Sequence, residues 1–139
     1  MALVFEKVTP NQEQIEKLYV ILSKKKYSIS HNKLPSLKEH TEFVYKNPYV
    51  QWYIVYKNKK LFGSFYIHSD NSIGINFYEP NLNDIKDLFK FIKDNHKPLK
   101  AIKSTRNGKF FLNIATGNKN LIKILEQLNK KEFQRSFKL

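Results

Sequence analysis

Residues 73–88 form an apparent strand-to-helix junction, in which Glu79, Pro80 and Asn81 separate the strand from the helix. Such a junction directs unpaired backbone N–H groups and the positive end of a helix dipole at one point, which suits an anion or a cofactor phosphate. Phosphate loops normally contain glycine, because the missing side chain lets the backbone approach the ligand. No glycine separates this strand from this helix. The sequence therefore predicts an anion site that lacks the glycines usually found in a phosphate loop.

The candidates for acid–base chemistry elsewhere in the chain are His68, Tyr66 and Glu39. His68 lies at the predicted end of a strand, and Tyr66 offers a hydroxyl to a ligand. Glu39 follows Ser36 by three residues, which is the spacing of a helix capping box and is the favoured interpretation. His40 lies on the apolar side of the same helix, where a hydrogen-bonded core histidine is expected. No histidine pair or HExxH motif occurs, so no metal site is predicted.

Aromatic residues alternate along neighbouring predicted strands, so one set should face the core. The other set either packs under helices, which is the default, or lines a pocket. Trp52 and Tyr53, with His31 in the preceding loop, are the candidates for contact with a substrate. Asn76 and Asn113 lie inside apolar strands, where a buried polar side chain needs a hydrogen-bond partner. Both are candidates for contact with a ligand.

Hydrophobic periodicity predicts alternating strands and helices along one domain of residues 1–139. Amphipathic helices are expected after four N-terminal signals: Thr9-Pro10, Ser36, Asn81 or Asn83, and Asn118. Strands are predicted at residues 3–8, 52–56, 61–68 and 73–78, the last three forming an antiparallel meander.

The C-terminal third leaves one alternative open. Residues 100–116 form either a hairpin around Asn107-Gly108 or a basic loop followed by a strand at residues 110–115. Residues 132–138 are predicted to close the sheet as a strand. The order of elements predicts an α/β or α+β fold, with a mixed, mostly antiparallel central sheet and helices on both faces.

Charge is the most unusual property of the composition. The formal net charge is +13 and the isoelectric point is near 9.8. Nucleic-acid readers favour arginine for its planar bidentate fork, but only Arg106 and Arg135 are arginines. Compositional bias toward lysine and asparagine on a solvated surface is therefore the favoured interpretation. A nucleic-acid patch would include Lys100, Lys103, Arg106 and Lys109.

The absence of cysteine excludes disulfides, thiol nucleophiles and thiolate metal sites. No run of about 18 apolar residues occurs, and residues 1–9 lack the pattern of a signal peptide. A cytoplasmic protein without a membrane segment is expected.

Several short patterns resemble acetyltransferase-like members of the GNAT superfamily, and the order of elements agrees over nearly the whole chain. The patterns are Leu34-Pro35-Ser36 with Glu39-His40, Phe43-Val44, Asn47-Pro48-Tyr49, Trp52-Tyr53-Ile54, Gly63-Ser64 with Tyr66, and Ile73-Gly74-Ile75. Asn118-Lys119-Asn120 before the last helix, and Phe133 after it, resemble the superfamily's closing motif.

The resemblance implies a V-shaped opening between the strand that ends near Tyr78 and the strand that ends near Thr116. This opening would hold the pantetheine arm of acetyl-CoA, the cofactor that the resemblance implies. An amine would attack the thioester while a base takes its proton, an N–H stabilises the oxyanion and an acid protonates the thiolate. The implied cofactor contacts are Asn76, Phe77, Tyr78, Asn113 and Asn118.

The chain departs from the superfamily pattern at two places. In the superfamily, an Arg or Gln followed by spaced glycines holds the cofactor pyrophosphate, whereas residues 79–83 contain neither and begin with Glu79. By the resemblance, the Tyr that serves many members as general acid would fall at or beside Leu125, and leucine cannot donate a proton.

Three functions follow, in order of preference. The first is an acetyl-CoA-dependent N-acetyltransferase that acts on a small amine such as an amino sugar, as a monomer or a homodimer. The second is a catalytically degenerate binding or assembly module of the same fold. The third is a lysine-rich nucleic-acid-binding protein.

Overall fold

The chain alternates strands and helices in the order that the sequence predicts. The computed structural model describes residues 2–25 and 33–139. In chain order the elements are β1 (Val4–Lys7), α1 (Gln12–Ser23), α2 (Leu37–Lys46), β2 (Gln51–Lys57), β3 (Lys60–Ile67), β4 (Ser72–Phe77), α3 (Leu82–Asn95), β5 (Phe111–Leu112) and α4 (Lys119–Gln127).

The five strands form one sheet in the order β1-β2-β3-β4-β5. Strands β1 to β4 pair antiparallel, which confirms the predicted meander of β2, β3 and β4. Strand β5 pairs with β4 in parallel, and this pairing is short: Ser72 lies opposite Phe111, and Ile73 lies opposite Leu112. The sheet is therefore mixed but mostly antiparallel, as predicted.

Side chains of the strands alternate between two faces, and each face is covered by different helices. On the first, which we call the α1/α2 face, Ile54 packs with Ile15 of α1 and Val44 of α2. On the opposite α3 face, Phe65 packs with Leu88 of α3. Helix α4 packs on α3 through a smaller cluster of Ile85, Leu121 and Ile124. Helices on both faces confirm the predicted fold class.

Local capping signals place most helix starts where the sequence predicts them. Ser36 and Glu39 form the predicted capping box, and Asn118 caps α4. Of the two candidates for the cap of α3, the structure uses Asn81. The predicted start of α1 at Thr9-Pro10 is wrong by two residues, because the side chain of Asn11 accepts the hydrogen bond from Gln14 N and caps the helix.

His40 is the buried histidine that the apolar stripe of α2 predicts. Its exposed fraction is 4%, and its Nε2 lies 3.0 Å from the carbonyl oxygen of Ile15. Burial lowers the pKa of His40, partly offset by this hydrogen bond. The side chain joins α2 to α1 beneath the sheet face that carries the site described below.

One prediction for the C-terminal third is wrong. Residues 132–138 form no strand; Phe133 only contacts the ring of Phe111 edge-on at 5.5 Å between centroids. A strand needs a partner edge, and the two-residue β5 offers almost none. The hairpin around Asn107-Gly108 is also absent, since Asn71 binds the carbonyl oxygens of Leu99 and Asn107 and holds residues 99–107 as a loop. The predicted alternative, a basic loop before the strand, is correct, although the strand is only Phe111–Leu112.

Candidate functional site

Strands β4 and β5 separate soon after they pair. Their last paired residues are Ile73 and Leu112, yet β4 continues to Phe77 while β5 ends. Four residues of β4 therefore extend past the last pair along an opening whose other wall begins with residues 113–118. We call this gap the β4–β5 opening.

The backbone of β4 presents free polar groups to the β4–β5 opening. His68 N donates to Ser72 O, and Tyr78 N donates to Phe62 O, each at 2.9 Å. Because bonded and non-bonded pairs alternate in an antiparallel ladder, Ile75 and Phe77 point their N–H and C=O groups away from β3. Within the described residues, no backbone hydrogen bond joins Ile75 or Phe77 to residues 113–118. This segment of β4 is an unpaired strand edge.

Polar side chains stand on the α1/α2 face beside that edge. Ser64, which is 3% exposed, lies opposite the half-buried Asn76 in the β3–β4 register. Tyr78 follows on the same face and packs with the core between the sheet and α1. The three residues line one row that leads to the β4–β5 opening.

The hydroxyl of Tyr78 is buried and has no hydrogen-bond partner among residues 2–25 and 33–139. The Nζ of Lys24 lies 5.6 Å from the centroid of its ring. Burial raises the pKa of Tyr78, so the hydroxyl keeps its proton at neutral pH. A protonated, unpartnered hydroxyl can donate a hydrogen bond to a ligand.

The N-terminus of α3 closes the far end of β4, and the backbone donors of Asn81 and Asp84 are already used there. Asn81 Oδ1 accepts from Asp84 N, and Asp84 Oδ2 accepts from Asn81 N, both at 2.9 Å. Asp84 is 2% exposed, and Lys57 Nζ lies 2.9 Å from its Oδ2. Pro80 has no N–H to offer. The helix start that the sequence marks as ready for an anion therefore holds a carboxylate of its own chain.

The other wall is anchored to the same junction. Asn118 Oδ1 accepts from Leu121 N at 3.3 Å, as an N-cap does. Asn120 Nδ2 donates to the carbonyl oxygen of Pro80 at 3.1 Å and so links α4 to the start of α3. Asn113 lies beyond β5 and is exposed. Of the two candidates on this wall, Asn118 serves as a cap and Asn113 faces solvent.

The three candidate catalytic residues lie at different distances from the β4–β5 opening. Tyr66 is on the α1/α2 face, two residues after Ser64 and opposite Gly74, and its ring stacks on that of Tyr49 with 4.0 Å between the centroids. His68 lies opposite Ser72, about 13 Å along the strand from the level of Asn76 at about 3.3 Å per residue. Its ring contacts the same aromatic pair.

Glu39 is exposed at the first turn of α2, where its Oε1 accepts from Ser36 N at 3.2 Å. Hydrogen bonds from Ser36 lower the pKa of Glu39, which makes it a weaker base. The structure thus gives Glu39 the capping role that the sequence favours.

The substrate candidates are divided between the two faces of the sheet. Trp52 lies on the α1/α2 face, beside Phe43 and Tyr49. Tyr53 lies on the α3 face, where its hydroxyl and His96 Nε2 are 2.7 Å apart. The two residues therefore cannot line one pocket. His31 lies outside the described residues.

Phe77 also has its side chain on the α3 face, with its ring 5.0 Å from that of Phe62. Only its backbone reaches the β4–β5 opening.

The third hypothesis places Arg106 in a basic patch. Its guanidinium donates hydrogen bonds to the carbonyl oxygens of Lys100 and Ser69, so two of its donors are already used within the chain.

Three residues of the site escape sequence reasoning. Ser64 is signalled only by its being the one serine in the largely apolar run of residues 61–67. Asp84 is visible as the third residue after Asn81, which is the capping-box spacing, but its partner Lys57 lies 27 residues away in the chain. Only the packing of α3 on β2 brings that pair together.

No cluster of three histidine, aspartate or glutamate side chains among the described residues is placed to hold a metal ion. Among the described helices, none has the length and apolarity needed to cross a membrane.

Comparison with known proteins identifies the fold without assigning a family. No protein-family profile and no curated protein matches the chain. A domain from Methanocaldococcus jannaschii DSM 2661 superposes with a TM-score of 0.67 at 14% identity, over 96% of this chain and 91% of that one.

Two acetyltransferase structures are also similar. A possible acetyltransferase from Clostridium difficile 630 has a TM-score of 0.55 at 12% identity, over 100% of this chain and 97% of that one. An aminoglycoside acetyltransferase from an uncultured soil metagenomic sample has a TM-score of 0.54 at 12% identity, over 100% and 98%. At such identities the likeness shows the fold alone, which is acetyltransferase-like.

Proposed function

We propose that this chain is an N-acyltransferase that moves an acyl group from a pantetheine thioester to a small amine. The observation that carries the proposal is the unpaired edge of β4, where the backbone groups of Ile75 and Phe77 face the β4–β5 opening. A pantetheine arm is an extended chain with two amide groups. Such a chain can pair with a free strand edge much as another strand does.

The similar structures support the reaction class and the substrate class. One is a possible acetyltransferase and another is an aminoglycoside acetyltransferase. An aminoglycoside carries amines on sugar rings, so an amino sugar or a comparable small amine is the acceptor that we propose. The polar row of Ser64, Asn76 and Tyr78 lies on the α1/α2 face, where such an acceptor would reach the thioester.

The proposed transfer needs no covalent intermediate on the protein. The amine nitrogen attacks the thioester carbonyl, a C–N bond forms, the C–S bond breaks, and the sulfur leaves as a thiolate. The amine loses one proton and the thiolate gains one. Tyr78 is the proposed proton donor to the sulfur, because it follows β4 directly and its hydroxyl is protonated and has no partner among the described residues. It replaces the acid that the resemblance would place at Leu125.

Acetyl-CoA, the donor that the fold's relatives imply, fits this structure in part. The strand edge of β4 suits the pantetheine arm. The start of α3 does not suit the diphosphate, since Asp84 places a buried carboxylate there and uses the donor of Asn81. No step of the proposed transfer therefore depends on the nucleotide portion.

This mismatch also favours a second candidate function, a binding module without catalysis. Asn120 already joins α4 to Pro80, and Ile114 of the other wall packs in one apolar cluster with Phe77 and Leu121. A module of this kind would bind an extended amide chain on β4 and release no thiol.

Nuclear magnetic resonance of the uniformly ¹⁵N-labelled chain tests the proposal without a mutation. We expect the amide peaks of Ile75 and Phe77 to shift most when S-acetylpantetheine or acetyl-CoA is added. Thiol release with a panel of amino sugars then separates enzyme from module. Shifts at these amides without thiol release would favour the module, and the absence of shifts at millimolar ligand would refute both functions.

A proline substitution supplies the matched perturbation. Ile75→Pro removes the N–H that faces the opening, and we expect it to abolish binding without breaking the β3–β4 ladder. Lys7→Pro is the control, because Lys7 also points its N–H outward, from the opposite edge of the sheet. Binding that survives Ile75→Pro would contradict the proposed role of this edge.

A further inference from the structure

At the start of α3, the carboxylate of Asp84 is paired with a cation and a backbone donor of the same chain. Asp84 Oδ2 is 2.9 Å from Lys57 Nζ and 2.9 Å from Asn81 N, so both charges of the pair lie within hydrogen-bond distance of each other. Asp84 N in turn donates to Asn81 Oδ1. This arrangement is a satisfied network, and a buried carboxylate so paired is costly to displace.

We propose that the β4–β5 opening takes a pantetheine thioester that lacks the adenosine diphosphate of CoA. The inference rests on the proposed function and specifies its donor. A diphosphate entering at the start of α3 would have to displace the Asp84 carboxylate from its hydrogen bond with Asn81 N. Lys57 is already bound to Asp84 and adds no net positive charge there. Among the described residues, the backbone groups of Ile75 and Phe77 have no backbone partner on the side of the β4–β5 opening, and these groups are neutral.

Two sources present a pantetheine thioester without the nucleotide: a free pantetheine thioester and a carrier protein that holds phosphopantetheine. The net charge of +13 favours the carrier, since carrier proteins are commonly acidic and opposite charge speeds association. A carrier-bound arm brings one phosphodiester in place of a diphosphate and a nucleotide phosphate. The shared chemistry is the neutral arm along β4.

Calorimetry on the unmodified chain tests the inference directly, with pantetheine and CoA as the probes. We expect the two dissociation constants to agree within about threefold. If CoA binds more than about 30-fold tighter, the inference is overturned while the proposed function stands, because a single charge-assisted hydrogen bond to the diphosphate is worth about that factor. Binding of neither probe would overturn the proposed function itself.

A charge-removing variant gives an independent test. Asp84→Asn keeps a side-chain oxygen for the Asn81 N–H but frees Lys57, so we expect CoA to gain about tenfold over pantetheine. Asp94→Asn makes the same charge change at the other end of α3, where Asp94 pairs with Lys90, and should leave the ratio unchanged. An unchanged ratio in Asp84→Asn would contradict the inference. Circular dichroism serves as the control that both variants are folded.

Steady-state rates distinguish the two sources of the pantetheine thioester. An acetylated acidic carrier protein should give a kcat/KM at least about tenfold above that of S-acetylpantetheine at low salt, and the advantage should fall as salt is added. Equal rates would overturn the carrier as the source and assign the free thioester.

Discussion

Removing one hydroxyl from Tyr78 should stabilise the fold, which is opposite to the usual effect of deleting a buried polar group. The Tyr78 hydroxyl is buried and has no partner among the described residues. Burying an unpaired hydroxyl costs about 1–3 kcal/mol relative to water. Tyr78→Phe keeps the ring against the core and removes only that penalty, so we expect the free energy of unfolding to rise by about 1 kcal/mol.

Tyr53 provides the matched control on the other face of the sheet. Its hydroxyl lies 2.7 Å from His96 Nε2, so Tyr53→Phe deletes a real hydrogen bond. We expect the free energy of unfolding to fall by about 1 kcal/mol. The two Tyr→Phe changes are chemically identical, and their effects should have opposite signs.

Urea denaturation monitored by circular dichroism measures both effects. Thermal unfolding is a second measure: for a chain of 139 residues, a change of about 1 kcal/mol in the free energy of unfolding shifts the melting temperature by about 3–5 °C. If Tyr78→Phe destabilises the protein as much as Tyr53→Phe does, the Tyr78 hydroxyl has a partner and the reasoning fails. If Tyr78 is also the proton donor, Tyr78→Phe should lower kcat by about 100-fold while it stabilises the fold.

Two further predictions concern pH and packing. Burial lowers the pKa of His40 and of His96 from 6.5. Below pH 6.5 the unfolded chain therefore binds more protons than the folded chain, so the stability present above pH 6.5 should be lost as the pH falls through the folded pKa values. His40→Gln should reduce this loss, as measured by urea titrations between about pH 7.5 and 5. A Cβ on Gly74 would overlap the ring of Tyr66, so Gly74→Ala should cost about 1–3 kcal/mol. Most of that cost should vanish in a Tyr66→Ala background, and a cost that persists there would show that the overlap is not its cause.

Features that depend on a few neighbouring residues could be predicted from the sequence. The capping box at Ser36 needs only residues three apart, and the meander of β2, β3 and β4 needs only alternation and short turns. The closing strand at residues 132–138 shows the limit of this reasoning. Its alternating Phe133 and Phe137 fit a strand, but a strand also requires a partner edge, and β5 is too short to provide one.

Features of the site could not be predicted in the same way, because they depend on which distant segments meet. The sequence places Trp52 and Tyr53 together as substrate candidates, yet adjacent residues of a strand face opposite sides, and only the helix packing decides which side carries the site. The pairing of Lys57 with Asp84 likewise depends on the packing of α3 on β2.

The distribution of satisfied and unsatisfied polar groups around residues 75–84 indicates what kind of ligand the junction accepts. On the α3 side, the helix start has its cap, its carboxylate and its cation, so an anion would have to displace existing bonds. On the β4 side, the backbone of Ile75 and Phe77 and the hydroxyl of Tyr78 have no partners among the described residues. Unpaired buried polar groups are costly, and a ligand gains most where it pairs them. Since these groups are neutral donors and acceptors in an extended row, we expect an amide chain, rather than a phosphate, to bind there.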